Sequence, residues 1–412
     1  MKILGIIAEY NPFHKGHAYQ IQQAKKLTNA DAVIVVMSGN FVQRGEPALL
    51  DKWTRTHMAL LNGADMVVEL PVIYATASAE YFAHSAVKLF EDMGIVTDIC
   101  FGSEIGSIKP LETIASIFCT QPACFVADFK KHIKTGSSYA SARCHALSAI
   151  FPQAKDILSQ PNNILAVEYI KALKKLNSTI AAHTISRKGA DYHSKDISAT
   201  MASASAIRNA LLTKNNSYLC HIPENCHSLF LQALQKGAAP VFLKDFTQAL
   251  HYSIRTKSAE EICRIFEVTE GLENRILKAV KSCYEINDIL SFVKTKRYSY
   301  TKIQRILLHI LLNIKKEDIL FFHHTGYVPY IRILGFQKES QFILGLFEKY
   351  ASLPVLTNLK NAQSILNASA KRMLSFDINA TNIYFMAVPQ KTYAFVGQDF
   401  TTPMVMISSK KA

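Results

Sequence analysis

Short apolar runs rich in β-branched residues alternate with amphipathic stretches through the first half of the chain. Residues 2–8 predict a strand, followed by a helix to about residue 27 and a second strand over 31–37. A helix around 52–62, a strand over 65–70, a helix near 79–93 and a strand over 98–101 continue the alternation. Two more helices and a last strand over 179–186 complete it. Strands that are apolar throughout and separated by helices predict an α/β fold, a Rossmann-like parallel sheet covered on both faces. From about Leu211 the strand signal fades, and 259–266, 272–290 and 301–314 carry helical spacing instead. The expected organisation is an α/β domain over 1–212, a helical domain over 213–330 and a mixed or helical C-terminal lobe over 331–412.

Composition changes this picture mainly through charge. With 412 residues, 49% of them hydrophobic, the chain can bury the cores of two or three domains. Lys and Arg number 46 against 32 Asp and Glu, and the resulting +14 attracts polyanions. No apolar run approaches the ~20 residues of a spanning helix, since 306–312 is interrupted by His309 and flanked by Arg305 and Asn313. The apolar start over 3–8 ends at Glu9, too short for a secretory signal. A cytoplasmic protein outside the membrane is expected. Its eight cysteines contain no C-x-x-C pair, so disulfides are not expected. The nearest approach to a metal motif, Cys220-His221 with Cys226-His227, places ligands on adjacent residues that rarely converge on one ion, and no metal site is expected.

The strongest local signal is Glu9-Tyr10-Asn11-Pro12-Phe13-His14-Lys15-Gly16-His17, between the first strand and the first helix. Ligands of open α/β sheets bind beyond the carboxyl ends of strands. Gly16 admits close backbone approach, and the helix start offers free N–H donors to an anion. Two histidines three positions apart can then face one phosphate. A helix cap with two ordinary surface histidines is the simpler alternative. Neither G-x-x-x-x-G-K-[ST] nor G-x-G-x-x-G follows any predicted strand, so phosphate must be held another way.

That H-x-G-H string, with Ile197-Ser198-Ala199-Thr200 leading to Ser205-Ala206-Ile207-Arg208, resembles the HIGH-motif nucleotidyltransferase superfamily. The superfamily's second motif is interrupted here between Thr200 and Ile207, so either Ser198 and Thr200 or Ser203 and Ser205 fit its hydroxyl positions. A longer set of ordered segments resembles the bacterial tRNA(Met) cytidine acetate ligase family. These are 5–19, 38–48 (S-G-N-F-V-Q-R-G-E-P-A), Phe101-Gly102-Ser103-Glu104, 161–165, Ile185-Ser186-Arg187 and Thr295-Lys296-Arg297-Tyr298.

The resemblance implies that acetate attacks the α-phosphate of ATP to give acetyl-adenylate. The acetyl group then passes to N4 of the wobble cytidine, position 34, of elongator tRNA(Met). It also implies ATP contacts at Ile7, Ala8, Glu9, Tyr10, Asn11, Pro12, Phe13, His14, Lys15, Gly16, His17, Gly102, Asn162 or its neighbour Asn163, and Arg187. His14, Lys15 and His17 suit charge stabilisation at the α-phosphate; Lys188, Ser205 and Arg208 are further phosphate candidates. Mg²⁺ on the phosphates is expected from the chemistry, with no carboxylate identifying itself as its ligand. Taken locally, Gly102 could simply end a strand, Asn162 could cap a helix, and Arg44 and Glu46 could be turn residues.

Between 289 and 316 the basic residues Lys294, Lys296, Arg297, Lys302, Arg305, Lys315 and Lys316 occur with no acidic residue, and Tyr298 and Tyr300 lie among them. Cations that follow a phosphate backbone and rings that stack on unpaired bases suit an anticodon loop, although most such runs are solvated faces. Two other functions remain open on sequence alone: a nucleotidyltransferase that adenylylates a small phosphorylated metabolite, and a non-catalytic RNA-binding protein with a relic nucleotide site.

Overall fold

The computed structural model describes residues 1–187, 202–269 and 271–408. Its core is one sheet built from β1 (Ile3–Ala8), β2 (Ala32–Ser38), β3 (Met66–Leu70), β4 (Asp98–Ser103), β5 (Ala181–Ser186), β6 (Ile331–Gln337), β7 (Val355–Leu356) and β8 (Val405–Ile407). Their order is β8-β6-β3-β2-β1-β4-β5, with β7 also pairing with β6. β1 to β5 are mutually parallel, with Ile3 opposite Ala32 and Ile34 opposite Met66.

Both faces are covered, which is why the strands read as continuous apolar runs. Alternation nevertheless sorts the side chains. Ile3, Ile34, Val36, Met66 and Val68 enter one core, with α3 (Ala79–Met93), α4 (Pro161–Lys175) and α7 (Ala368–Met386). Leu4, Ile6, Val33, Val35 and Val67 enter the other, with α1 (Lys15–Thr28), α2 (Lys52–Leu61) and α5 (Ala204–Leu212). Between β4 and β5 the described chain forms five helices where two were expected, α4 being the last.

The chain thus adopts the expected α/β fold, with one difference in the sheet. β6 runs antiparallel to β3, and β7 and β8 lie parallel to β6. The proposed boundary at 330 falls immediately before β6, so the segment expected as a mixed or helical lobe supplies three strands of the central sheet. β7 and β8, with only two and three residues, are too short to leave a periodic signal.

A buried ion network ties that segment in. Lys52 Nζ lies 2.8 Å from Glu69 Oε1 and 2.8 Å from Asp399 Oδ1, while Arg332 reaches Glu69 at 3.0 Å and Asp399 at 2.6 Å. Burial opposes ionisation of Asp399, but Arg332 and then Lys52 hold its carboxyl down to about 2.

The helical region centres on α6 (Tyr300–Leu312), buried continuously from Ile303 to Leu312. His309 Nε2 contacts Thr76 O at 3.0 Å and fixes α6 to the segment after β3. Among the described residues no helix is long and apolar enough to cross a membrane.

Candidate active site

The chain leaves β1 at the carboxyl edge of the sheet and enters α1 through His14. His14 is the N-cap of that helix: its Nδ1 accepts from Gly16 N at 3.0 Å, and His17 Nδ1 accepts from His14 N at 3.3 Å. This reciprocal arrangement is a capping box in which imidazole nitrogens replace the usual side-chain oxygens. With each Nδ1 accepting an N–H, a neutral ring carries its proton on Nε2. The rings stack at 3.7 Å between centroids and 25° between planes, so two Nε2–H donors stand side by side. Tyr10, held at φ 50°, and Phe13 wall the pair at 4.8 and 5.6 Å from the His17 ring.

Burial, then the nearby Arg187 and His221, press the His14 pKa down to about 3. Burial, His14, Arg187 and Arg44 lower that of His17. Both rings are therefore uncharged at neutral pH.

Arg55 of α2, fully buried, organises the loops around them. Its guanidinium donates to Leu50 O at 3.0 Å, Glu9 O at 2.6 Å, Ser38 O at 3.0 Å and Gly39 O. The ends of β1 and β2 are thereby tied to one rigid fork. Glu9 accepts from Gln43 N at 2.8 Å and lies 3.9 Å from Arg44 Nε. Asn11 Oδ1 accepts from Leu49 N at 2.7 Å.

Across from α1, Ser203 caps α5 by accepting from Ala206 N. Ser205 Oγ accepts from Arg44 at 3.0 Å and Arg208 at 3.4 Å. Arg208 also donates to Asn11 O at 2.7 Å and pairs with Glu46 at 3.1 Å. Ser205 and Arg208 thus meet the first motif, whereas Ser198, Thr200 and Lys188 lie outside the described residues.

The third side is the end of β4. Arg187 Nη1 donates to Asn162 Oδ1 at 3.2 Å, and a Cβ at Gly102 would come within 3.2 Å of the Arg187 stem, so glycine leaves room for that arginine. Glu104 receives Asn162 Nδ2 at 2.6 Å and Asn163 N at 2.8 Å. Asn163, 2% exposed, is occupied internally: its Oδ1 accepts from Glu104 N and Ile105 N, and its amide donates to Ile157 O. Asn162 is the asparagine beside Arg187. Ile7, Ala8, Lys15 and Gly16 lie half-buried and Pro12 buried along the same loop.

The basic stretch divides. Lys294, Lys296 and Arg297 are exposed on the loop between the helix Ile286–Val293 and α6. Lys302 lies half-buried with its Nζ 4.9 Å from the Tyr298 ring. Arg305 instead turns inward, 9% exposed, with Nε 2.9 Å from Glu267 Oε2. Its charge has a buried partner, and it does not belong to the exposed basic surface.

Arg55 and Glu104 have no role assigned from the sequence, and for Arg44 and Glu46, within the resembling segment 38–48, turn chemistry stays open as the alternative. The available signal was Arg55 itself, a charge in a predicted helix among the apolar residues Trp53, Met58, Ala59 and Leu60.

A family model described as HIGH Nucleotidyl Transferase matches residues 1–399. The tRNA(Met) cytidine acetate ligase of Acetivibrio thermocellus is 39% identical over 418 residues, covering 99% of this chain and 100% of that one. The tRNA(Met) cytidine acetate ligase of Thermoanaerobacter sp. is 42% identical over 410 residues, with 99% and 100% covered. Among solved structures, apo Thermotoga maritima TmcAL superposes with TM-score 0.95 at 35% identity, covering 99% of this chain and 100% of that one. The same protein bound with alpha-thio ATP superposes with TM-score 0.94 at 35% identity and the same coverage.

Proposed function

This chain belongs to the tRNA(Met) cytidine acetate ligase family of the HIGH nucleotidyl transferases, and on that premise we propose how its residues perform an ATP-dependent acetylation of tRNA. A carboxylate oxygen of acetate attacks the α-phosphorus of ATP, the bond to pyrophosphate breaks, and acetyl-adenylate forms. The N4 amine of cytidine 34 in elongator tRNA(Met) then attacks the acetyl carbon. AMP leaves with the electron pair of the broken bond, and N4 gives up a proton.

The observation that carries this reading is the stacked pair of Nε2–H donors at the start of α1. Charge grows on the α-phosphate oxygens during attack, and fixed donors need no reorientation to meet it. Lys15 and the positive end of the α1 dipole add to the same end. Arg187, Arg44 and Arg208 ring the site as forks suited to the departing pyrophosphate. Asn162 and Gly102 lie beside Arg187 and suit the nucleoside side.

Mg²⁺ would ride on the triphosphate. Glu9, Glu46 and Glu104, the carboxylates beside the site, are each engaged by a protein donor.

The exposed Lys294, Lys296 and Arg297, with Tyr298 and Lys302 behind them, form the tRNA surface in this reading. Mass spectrometry of tRNA(Met) nucleosides after incubation with the enzyme, ATP and isotopically labelled acetate tests it. Labelled N4-acetylcytidine is expected; a stable adenylylated metabolite with unmodified tRNA would overturn it.

A further inference from the structure

A cavity of about 370 Å³ lies away from the histidine pair, where α3 and α4 of the α/β domain meet the end of the helix Lys316–His324. α3 lines it with Glu80, Tyr81 and His84, α4 with Glu168, Lys171 and Lys175, and the helical region with His323 and Tyr327. Its volume is in the ~300–1,000 Å³ range of small-ligand sites, and domain junctions are a usual place for them.

The lining is both aromatic and charged. The His84 and His323 rings lie 4.2 and 4.6 Å from that of Tyr327. Burial, then Lys175 and His323, push His84 down to about 4, so its ring is uncharged at neutral pH. Tyr74 packs behind Tyr327 at 5.8 Å, and its buried hydroxyl has no partner in the structure.

Below the rings Lys171, 7% exposed, is held by Glu168 at 2.7 Å and Glu80 at 2.8 Å, and Arg143 takes the other oxygen of Glu168 at 2.8 Å. Glu80 Oε1 also lies 3.5 Å from Lys175, which leaves Oε2 to accept from a ligand. Lys175, which also lines the cavity, is exposed. The adenylation chemistry uses none of these groups.

We propose that this cavity binds an unpaired nucleobase of the tRNA substrate, at a position other than the acetylated cytidine. The proposal rests on the tRNA-acetylating reading above. A planar base finds faces to stack on in Tyr327, His84 and Tyr81. Its N–H edge finds the free oxygen of Glu80, and a flanking phosphate finds Lys175. An apolar ligand would leave the ion cluster and the hydroxyls unanswered, and a free phosphate would leave the rings unused. Base stacking on aromatic side chains is how RNA-binding proteins commonly hold splayed nucleotides.

The test crosslinks unmodified tRNA(Met) transcript to the full-length enzyme by ultraviolet light and identifies nucleotide-bearing peptides. Adducts within 80–84 or 323–327 are expected; adducts confined to other peptides would overturn the proposal. In parallel, His84→Ala and Tyr327→Leu are compared with wild type. A rise of about ten-fold or more in the KM for tRNA is expected, with acetate-dependent ATP–pyrophosphate exchange unchanged in the absence of tRNA. An unchanged KM in a variant that melts like wild type sinks the pocket. Absence of exchange in the wild type would instead strike the acetylation reading. Saturable binding of cytidine or guanosine monophosphate that leaves tRNA KM unaffected would reassign the cavity to a free nucleotide and also overturn the proposal.

Discussion

His14 has two separable duties: Nδ1 caps α1, and Nε2–H faces outward as a donor. Asparagine is a strong N-cap through its side-chain oxygen but carries no donor at the position of Nε2. His14→Asn should therefore keep the melting temperature near wild type while lowering acetyl-adenylate formation by about 10²-fold or more, the scale of losing one oxyanion-type donor. ATP–pyrophosphate exchange and a thermal melt check the two parts, and tRNA binding should persist.

The same burial sets a pH dependence. In the unfolded chain His14 takes a proton near the ordinary histidine pKa of ~6.5, whereas the folded site resists protonation down to about 3. Its contribution to stability is thus complete above pH ~6.5 and lost progressively as pH falls from there towards 3. Denaturation between pH 7 and 5 should show a shallower loss for His14→Asn than for wild type; equal slopes would contradict a neutral, buried His14.

At the scale of elements, α6 presents basic residues with two different tasks. Arg305 neutralises the buried Glu267, so Arg305→Ala should destabilise by about 3–5 kcal/mol, the range for stranding a buried charge. Its urea midpoint should move. Lys296→Ala with Arg297→Ala should leave that midpoint in place and weaken tRNA binding, with a reduced slope of log affinity against log salt.

Gly45 couples the loop over 41–47 to α6. It sits at φ +79°, and a Cβ there would meet Arg305 N at 2.5 Å. Gly45→Ala should cost about 1–3 kcal/mol through the left-handed backbone and that clash. A calorimetric melt would show it.

For the whole molecule, the ion network makes the sheet depend on the far end of the chain. Asp399→Ala leaves Lys52 and Arg332 sharing Glu69 in a buried setting, and a loss of about 3–5 kcal/mol is expected by urea denaturation. A fragment of residues 1–212 would lack Arg332, Asp399 and the strand beside β3. It should fail to give a cooperative thermal transition; a sharp melt would show the N-terminal half to be self-sufficient.

Much of this molecule was legible from residue order because the relevant physics is local. β1 to β5 are apolar runs bounded by turns and helices, and each lies within a few residues of its expected place. The loop from Glu9 to His17 follows the first strand, where an α/β site belongs, and Gly16 with the paired histidines makes it a candidate anion site from residue order alone. The fold class, the HIGH resemblance and the exposed basic loop around Arg297 come from this level.

What the tertiary structure alone decided involves partners distant in sequence. Strand pairing carries no mark of which neighbour it will find, so β6 beside β3 and the closure by β8 emerge only in three dimensions. Burial of a charge depends on a counter-charge elsewhere in the chain, which is why Arg305 read as part of an RNA surface and is bound to Glu267. The choice of Asn162 over Asn163 beside Arg187 turned on hydrogen bonds to Glu104 and Ile157. Periodicity records the environment of a residue along its own element; it holds no information about the side chain that arrives from across the fold.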